Sequence, residues 1–443
     1  MRLQIAFSAL LALSLLGVLS LPDAVQAGPR APFRAGFASA VITPLLPQDG
    51  GTYPVFIAGY GHPRIAESVH DDLYCRALAL DDGHTRLVIV SCDLIGLLSQ
   101  DVQDIRRTVR GIPPANLIIC ATHTHSGPDT IGLWGPSEDR TGVDPDYMVG
   151  LKACVKACIT EALKRLRPAT LSFATTKQPD GVAHNARDAN LMDAEIRLME
   201  VSDAAGKPLA TLVNWGCHPE VLTTESKALS CDWVYYLREE VEKAHGGKVI
   251  FLNGALGGMV TPTVSESTFA EAERVGRAVG KQVLEALPNA SPVQDPTLAV
   301  RSAAVALNLT NKRYELAAKS GVIPAAGGII AAAKMEISLV TVRSQDDPAS
   351  AAPIAQFATF PGEPLPAVGL AAKGLLTAKR RFIVGLADDE LGYILPREYV
   401  GNPTYDYEWS MSVGPDAAPS LLQGLKSLLS AGPDGSDRNR TRD

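Results

Sequence analysis

The stretch Asn116-Leu-Ile-Ile-Cys-Ala-Thr-His123-Thr-His125-Ser-Gly-Pro-Asp129 opens as a short apolar run and closes in polar, titratable residues. A brief apolar run rich in β-branched residues and stopped by Gly and Pro reads as a buried strand, here Asn116–Ala121. The same transition recurs along the chain. Leu87–Ser91 runs into Cys-Asp93, Leu209–Trp215 into Gly-Cys-His218-Pro-Glu220, and Lys248–Leu252 into Asn253-Gly. Ile354–Phe360 runs into Pro-Gly-Glu363, and Arg381–Leu386 into Ala-Asp388-Asp389-Glu390. Open α/β sheets bind ligands outside the carboxyl ends of their strands. Polar groups delivered repeatedly to that place predict one shared site.

Working outward, further strands are expected at Thr85–Ser91, Thr170–Ala174, Ile196–Val201, Leu298–Leu307 and Glu336–Val342. Helices are expected at Gln100–Arg110, Pro145–Arg165, Trp233–Ala244, Phe269–Ala286, Pro364–Thr377 and Pro419–Leu429. Ser99 is placed to cap the first helix, whose inner face would carry Val102, Ile105 and Val109. The alternation predicts an α/β protein, a mixed or largely parallel sheet with flanking helices. Thr310–Ala333 is rich in Ala and Gly and resists assignment, and there is no internal repeat.

The chain has only eight histidines. Imidazole is the commonest zinc ligand, and a carboxylate often completes a catalytic site that keeps one position for water. If the strand continues through His123 and His125, their rings point to the same face. With His218 and Glu363 they would supply a mononuclear zinc site.

Several blocks of sequence stand out as landmarks along the chain. They are Ala35-Gly-Phe37 with Ala40-Val-Ile-Thr-Pro44, then Gly59-Tyr-Gly61, then His70-Asp-Asp-Leu-Tyr-Cys-Arg-Ala-Leu78. Val88-Ile-Val-Ser-Cys-Asp93, Ala121-Thr-His-Thr-His-Ser-Gly-Pro128 and Asn214-Trp-Gly-Cys-His-Pro219 follow, then Ser230-Cys-Asp232. Phe360-Pro-Gly-Glu363 and Leu391-Gly-Tyr393-Ile394 with Arg397-Glu-Tyr399 complete the series over about residues 33 to 400. Together these blocks resemble the neutral/alkaline ceramidase family, and the resemblance implies one Zn²⁺ per chain, held by His123, His218, Glu363 and Tyr393. It implies a role for His125 beside the metal or in proton transfer, and it brings His70 to the site. It implies an oxyanion-stabilising arginine, for which Arg187 is the nearest candidate. The activity implied is hydrolysis of an N-acyl amide, from a ceramide-like or other N-acylated small-molecule or lipid substrate, to a carboxylic acid and an amine. A lipid substrate would bring contact with a membrane surface. Two departures stand out. Where the family carries Gly-Asp-Val-Ser-Pro, this chain reads Gly258-Met-Val-Thr261-Pro262, so Thr261 takes the serine position. The family's C-terminal β-sandwich domain is expected to be absent. Ester or peptide hydrolysis, and a non-catalytic exported binding protein, are the competing readings.

Composition sets the remaining bounds. A net charge of −7 without a basic run excludes nucleic acid as a partner. Arg2, the apolar Ile5–Leu21 and the small residues Val25-Gln-Ala27 read as a signal peptide cleaved after Ala27, which predicts an exported mature chain. The expected organisation is a signal peptide at 1–27, one catalytic domain at 28–430 and a disordered polar tail at 431–443. Seven cysteines, several inside apolar runs, predict buried thiols rather than a disulfide framework.

Overall fold

The computed structural model describes residues 31–61, 63–323, 332–344 and 352–431. The expected signal peptide, and the expected tail beyond Ala431, lie outside the described residues. Thirteen strands build the two main sheets. The first is formed by β1 (Arg34–Val41), β2 (Tyr74–Asp81), β3 (Arg86–Cys92), β4 (Leu117–Ala121), β5 (Arg167–Lys177), β6 (Glu195–Asp203), β7 (Pro208–Trp215), β8 (Lys248–Asn253) and β9 (Ser291–Val293). Its order is β8-β7-β6-β5-β1-β2-β3-β4, with β9 added on β5. The second comprises β10 (Pro296–Asn308), β11 (Ala332–Ser344), β12 (Ala355–Thr359) and β13 (Arg380–Val384), in that order. The helices are α1 (Ser99–Thr108), α2 (Pro145–Lys164), α3 (Trp233–His245), α4 (Phe269–Ala286), α5 (Lys312–Lys319), α6 (Pro366–Leu375), α7 (Asp406–Ser410) and α8 (Ala417–Ser430).

The sheets are mixed, as the α/β reading requires, but they are not largely parallel. Only β3–β4 and β7–β8 in the large sheet, and β12–β13 in the small one, run parallel. Tight connections force the rest: the turn after Asp81 and the turn after Asp203 each fold one strand directly back on the next. The alternation of strands and helices had suggested parallel pairing, and strands buried on both faces do not contradict it. Here the second face is covered by another sheet. Along β3, Val88 and Val90 enter a core shared with α1–α4, while Leu87 and Ile89 enter a core shared with the second sheet. β4 alternates likewise: Leu117 and Ile119 face the helices, Ile118 and Cys120 the other sheet. The second sheet turns Val340, Phe357 and Phe382 inward and Leu339, Ala358 and Ile383 outward, against α6 and α8. The result is four layers, helix, sheet, sheet, helix, where the sequence suggested a single sheet between helices.

Helix α1 departs from expectation at its start. Leu98 occupies the cap position and makes no side-chain cap bond. Ser99 is already helical, and its backbone N–H donates to Asp389 Oδ1 at 2.9 Å. A carboxylate brought in from after β13 thus satisfies a free amide of the first turn. The inner face, Val102, Ile105 and Val109, is buried as expected. All seven cysteines are free thiols and all but Cys154 are buried.

Candidate metal and catalytic site

Three loops at strand ends meet in one place. β4 stops at Ala121, and His123 adopts a left-handed backbone with φ +68°. The expected extended continuation through His123 and His125 therefore does not occur. The rings converge for another reason: each loop residue is fastened to a different neighbour. The His123 N–H donates to the Leu94 carbonyl, the His125 N–H to the Pro219 carbonyl, and Thr124 Oγ1 to the Ser230 carbonyl at 2.8 Å. A left-handed non-glycine residue costs on the order of 1–3 kcal/mol and persists where its surroundings enforce it.

His218 lies beyond β7, and Asn253 at the end of β8 ties its loop to that of His123. The Asn253 Oδ1 accepts from the Cys217 N–H, and its Nδ2 donates to the Thr122 and Cys217 carbonyls, all at 3.0 Å. Glu363 follows β12 and pairs with Tyr393 in a short parallel ladder, Glu363–Pro364 against Tyr393–Ile394. The bend before it demands Gly362, at φ +149°, where a Cβ would meet the Gly392 carbonyl at 2.5 Å.

His123, His125 and His218 are buried, with ligand-type nitrogens all within 4.8 Å of one another. The Nδ1 atoms of His123 and His218 lie 2.6 Å from the Ile95 carbonyl and 2.9 Å from the Val260 carbonyl. A carbonyl only accepts, so each Nδ1 carries the proton, and in the neutral ring each Nε2 presents a lone pair. Those lone pairs meet Glu363 Oε2, at 3.5 Å from His123 and 3.1 Å from His218. Three acceptors converging without a cation repel, so a proton or a metal ion must stand among them. His125 adds a second sign: both of its ring nitrogens are buried without a hydrogen-bond partner. This donor set, imidazole nitrogens with one carboxylate, fits Zn²⁺.

The electrostatics state the same demand. Burial pushes the His218 imidazole down, but Glu220 and Glu363 outweigh it and raise its pKa to about 9. Burial would lift Glu363, yet the His123 and His218 rings hold it at about 2. Burial, reinforced by His123, His218 and Arg64, keeps His125 well below the usual imidazole range, and hence neutral.

Around His125 the structure adds two residues that strand-end reading had not singled out as site residues. Tyr60 packs edge-on to the His125 ring, centroids 5.0 Å apart, and donates its hydroxyl to Glu220 Oε2 at 2.5 Å. That carboxylate oxygen is 3.6 Å from His125 Nδ1. Their signals were in view, since Tyr60 stands within Gly59-Tyr-Gly61 and Glu220 two residues after His218, but nothing local paired them. Gly59 touches the same ring: a Cβ there would lie 2.5 Å from it.

Other expected site residues sit as follows. Tyr393 is buried, and its phenol is raised first by burial and then by Glu363, Tyr407, Glu220 and Glu408. Arg187 donates its Nε to the fully buried Glu408 at 2.6 Å. Thr261 faces His184 in the two-stranded ladder Ala183–Asn185 with Val260–Pro262. Its neighbour Val260 supplies the carbonyl that orients His218. His70 makes its contacts elsewhere, stacked on Phe269 with centroids 3.7 Å apart and hydrogen-bonded to Asp71.

No protein-family profile matches the chain, and no curated protein is similar to it in sequence. Solved structures do share its fold. The neutral ceramidase from Pseudomonas aeruginosa superposes with a TM-score of 0.72 at 16% identity, over 90% of this chain and 74% of that one. A ceramidase complexed with C2 superposes with a TM-score of 0.71, also at 16% identity, over 90% of this chain and 75% of that one. These superpositions show that the chain shares the fold of the neutral ceramidase structures.

Proposed function

We propose that this chain is an exported, zinc-dependent amidohydrolase that cleaves the N-acyl bond of a ceramide-like or other N-acylated amine. The observation that carries the reading is the convergence of the His123 and His218 Nε2 atoms on Glu363 Oε2, with the unpartnered His125 ring beside them. His123, His218 and Glu363, with Tyr393 on the adjoining strand, would hold one Zn²⁺. A metal ion bound there polarises an acyl carbonyl and lowers the pKa of water.

The protein's own groups supply the rest. The Ile95 and Val260 carbonyls keep the two ligand rings in one tautomer and one orientation. His125, neutral and buried, accepts a proton during attack on the carbonyl and returns it to the departing nitrogen. An amine needs that proton, because an amide anion cannot leave at neutral pH. The Glu220 carboxylate, 3.6 Å away, stabilises the ring while it is charged, and Tyr60 fixes that carboxylate. The acidic chain, net charge −7, suits a neutral acyl substrate. Contact with a membrane surface would follow where that substrate is a lipid.

The test is metal analysis of the purified protein together with turnover of N-acyl sphingoid bases, N-acyl amino acids and simple esters. We expect about one zinc per chain, release of a free amine, and loss of both metal and turnover in His123→Ala and His218→Ala. Full metal occupancy in both variants, or turnover confined to esters, would overturn the assignment. Export predicts a mature chain starting at Gly28; N-terminal sequencing that finds Met1 retained in the exported protein refutes it.

A further inference from the structure

Glu390 is a buried acid that this chemistry leaves unused. It follows β13 and is 7% exposed. One oxygen, Oε1, accepts the Gly392 N–H at 2.9 Å. The other, Oε2, is buried and has no hydrogen-bond partner among the described residues. Ionised, that oxygen lacks a donor; protonated, it lacks an acceptor. Native proteins rarely leave a buried polar atom in this state without a function for it.

Its surroundings place it at the site. The Glu390 Cβ and Cγ lie against Gly96, where an added Cβ would approach them to 2.7 and 2.6 Å. The preceding residue, Ile95, supplies the carbonyl that orients His123. Ala58, Ile95, Ile131 and Ile323 form an apolar wall there, with Tyr314 packed against it. Tyr314 in turn stands in the field of Glu390, Glu363 and Asp389. Burial first, and then Glu363 and Asp389, push the Glu390 carboxyl well above the usual carboxylate range. No basic side chain pairs with either of its oxygens among the described residues.

We propose that Glu390 is a specificity-determining residue for the amine half of the substrate, its free oxygen receiving a hydroxyl or ammonium donor carried a few atoms from the scissile nitrogen. This rests on the amidohydrolase reading. The choice of the amine half follows from the balanced reaction: R–CO–NH–R′ and water give R–COO⁻ and R′–NH₃⁺. The carboxylate product offers a buried acceptor no donor, whereas the amine half ends in N–H groups and can carry further donors beside them. An apolar wall around one acceptor also makes a donor-free amine the poorer substrate, because the acceptor then stays unpaired.

Three N-dodecanoyl amides of nearly equal size test this: the propylamide, the ethanolamide and the mono-amide of ethylenediamine. The wild type should favour the hydroxyl- or ammonium-bearing amides over the propylamide on the order of 10² in kcat/KM. The preference should arise chiefly in KM, and Glu390→Leu should collapse the ratio towards one. Glu390→Gln leaves its oxygen on the Gly392 N–H and turns an NH2 to the free position, which can donate to a hydroxyl but not to an ammonium. It should preserve preference for the ethanolamide and lose any preference for the cationic amide, which separates the two donors. Should the leucine variant not fold, as judged by melting temperature and metal content, the glutamine variant decides alone: an unchanged cationic-to-neutral ratio with no hydroxyl preference overturns the proposal. A wild type without preference, or a leucine variant slowed equally on all three, also overturns it. If the wild type hydrolyses none of them, the amidohydrolase reading fails separately. The compounds are then stable and can be titrated calorimetrically. Tighter binding of a donor-bearing amide by the wild type but not by Glu390→Leu upholds the site, and equal binding refutes it.

Discussion

Replacing Gly59 by alanine pushes a methyl group into the His125 ring, the proposed carrier of the transferred proton. The added Cβ would lie 2.5 Å from His125 Cγ and Nδ1 and 2.7 Å from its Cβ, at a backbone φ of +107°. Carbon contacts settle near 3.5–4.0 Å, so the imidazole has to retreat by about 1 Å. Overpacking costs about 1–3 kcal/mol and the left-handed backbone about 1–3 more, so a loss of about 2–6 kcal/mol is expected. A displacement of about 1 Å at a reacting group is worth roughly 10² in rate. Gly61 is the internal control, two residues away with nothing within 4 Å of its added Cβ. Gly61→Ala should melt within about 0.5 kcal/mol of the wild type, as exposed positions do. Thermal melting, kcat and bound metal are measured on both variants. Metal retained in Gly59→Ala assigns His125 to proton transfer; metal lost assigns it to the ligand set, since ligand distances tolerate only about 0.2 Å. Cutting the ring away in Gly59→Ala/His125→Ala removes the contacts with Cγ and Nδ1 and leaves only that with Cβ, so the two destabilisations fall short of additive. Wild-type melting and wild-type turnover in Gly59→Ala would refute the reasoning.

Two further predictions concern groups at the edge of the site. Burial raises the Asp389 carboxyl to about 7, above the usual carboxylate value of about 3.9. The folded state therefore holds a proton that the unfolded chain has released, and this stabilisation is full below about pH 4 and lost as pH rises through about 7. Asp389→Asn still accepts the Ser99 N–H but cannot titrate, so its melting temperature should gain on the wild type between pH 4 and pH 8; parallel curves would contradict the assignment. Thr261→Ala leaves the Val260 carbonyl on His218 untouched. It should keep measurable turnover, with a loss of at most about 10²–10³ if the hydroxyl serves the oxyanion. A trapped acyl adduct on Thr261 would show that the residue attacks directly.

The amino-acid sequence by itself determined most strands, though not the central β1 and β2, together with the long helices and the chemistry gathered at strand ends. Those features depend on local periodicity and on residue type, both of which survive without tertiary contacts. Phe269–Ala286 was legible to the residue because its apolar positions recur with the helical period and Thr268 caps it. His123, His218 and Glu363 were legible because each follows an apolar run at a sharp break.

Tertiary structure decided what one strand cannot specify about its neighbours. An apolar strand looks the same whether a helix or a second sheet covers its far face, so the four layers and the antiparallel majority were hidden. His123-Thr-His125 was read as extended because nothing nearby opposes it. The left-handed turn at His123 is imposed by the Leu94 and Ile95 carbonyls, which come from the end of another strand. Tyr60 and Glu220, 160 residues apart, and Glu390 beside Gly96 likewise become partners only when separate loops close over the same strand ends. A residue's pairing, protonation and reach depend on what the fold brings against it, and that information is spread across the whole chain.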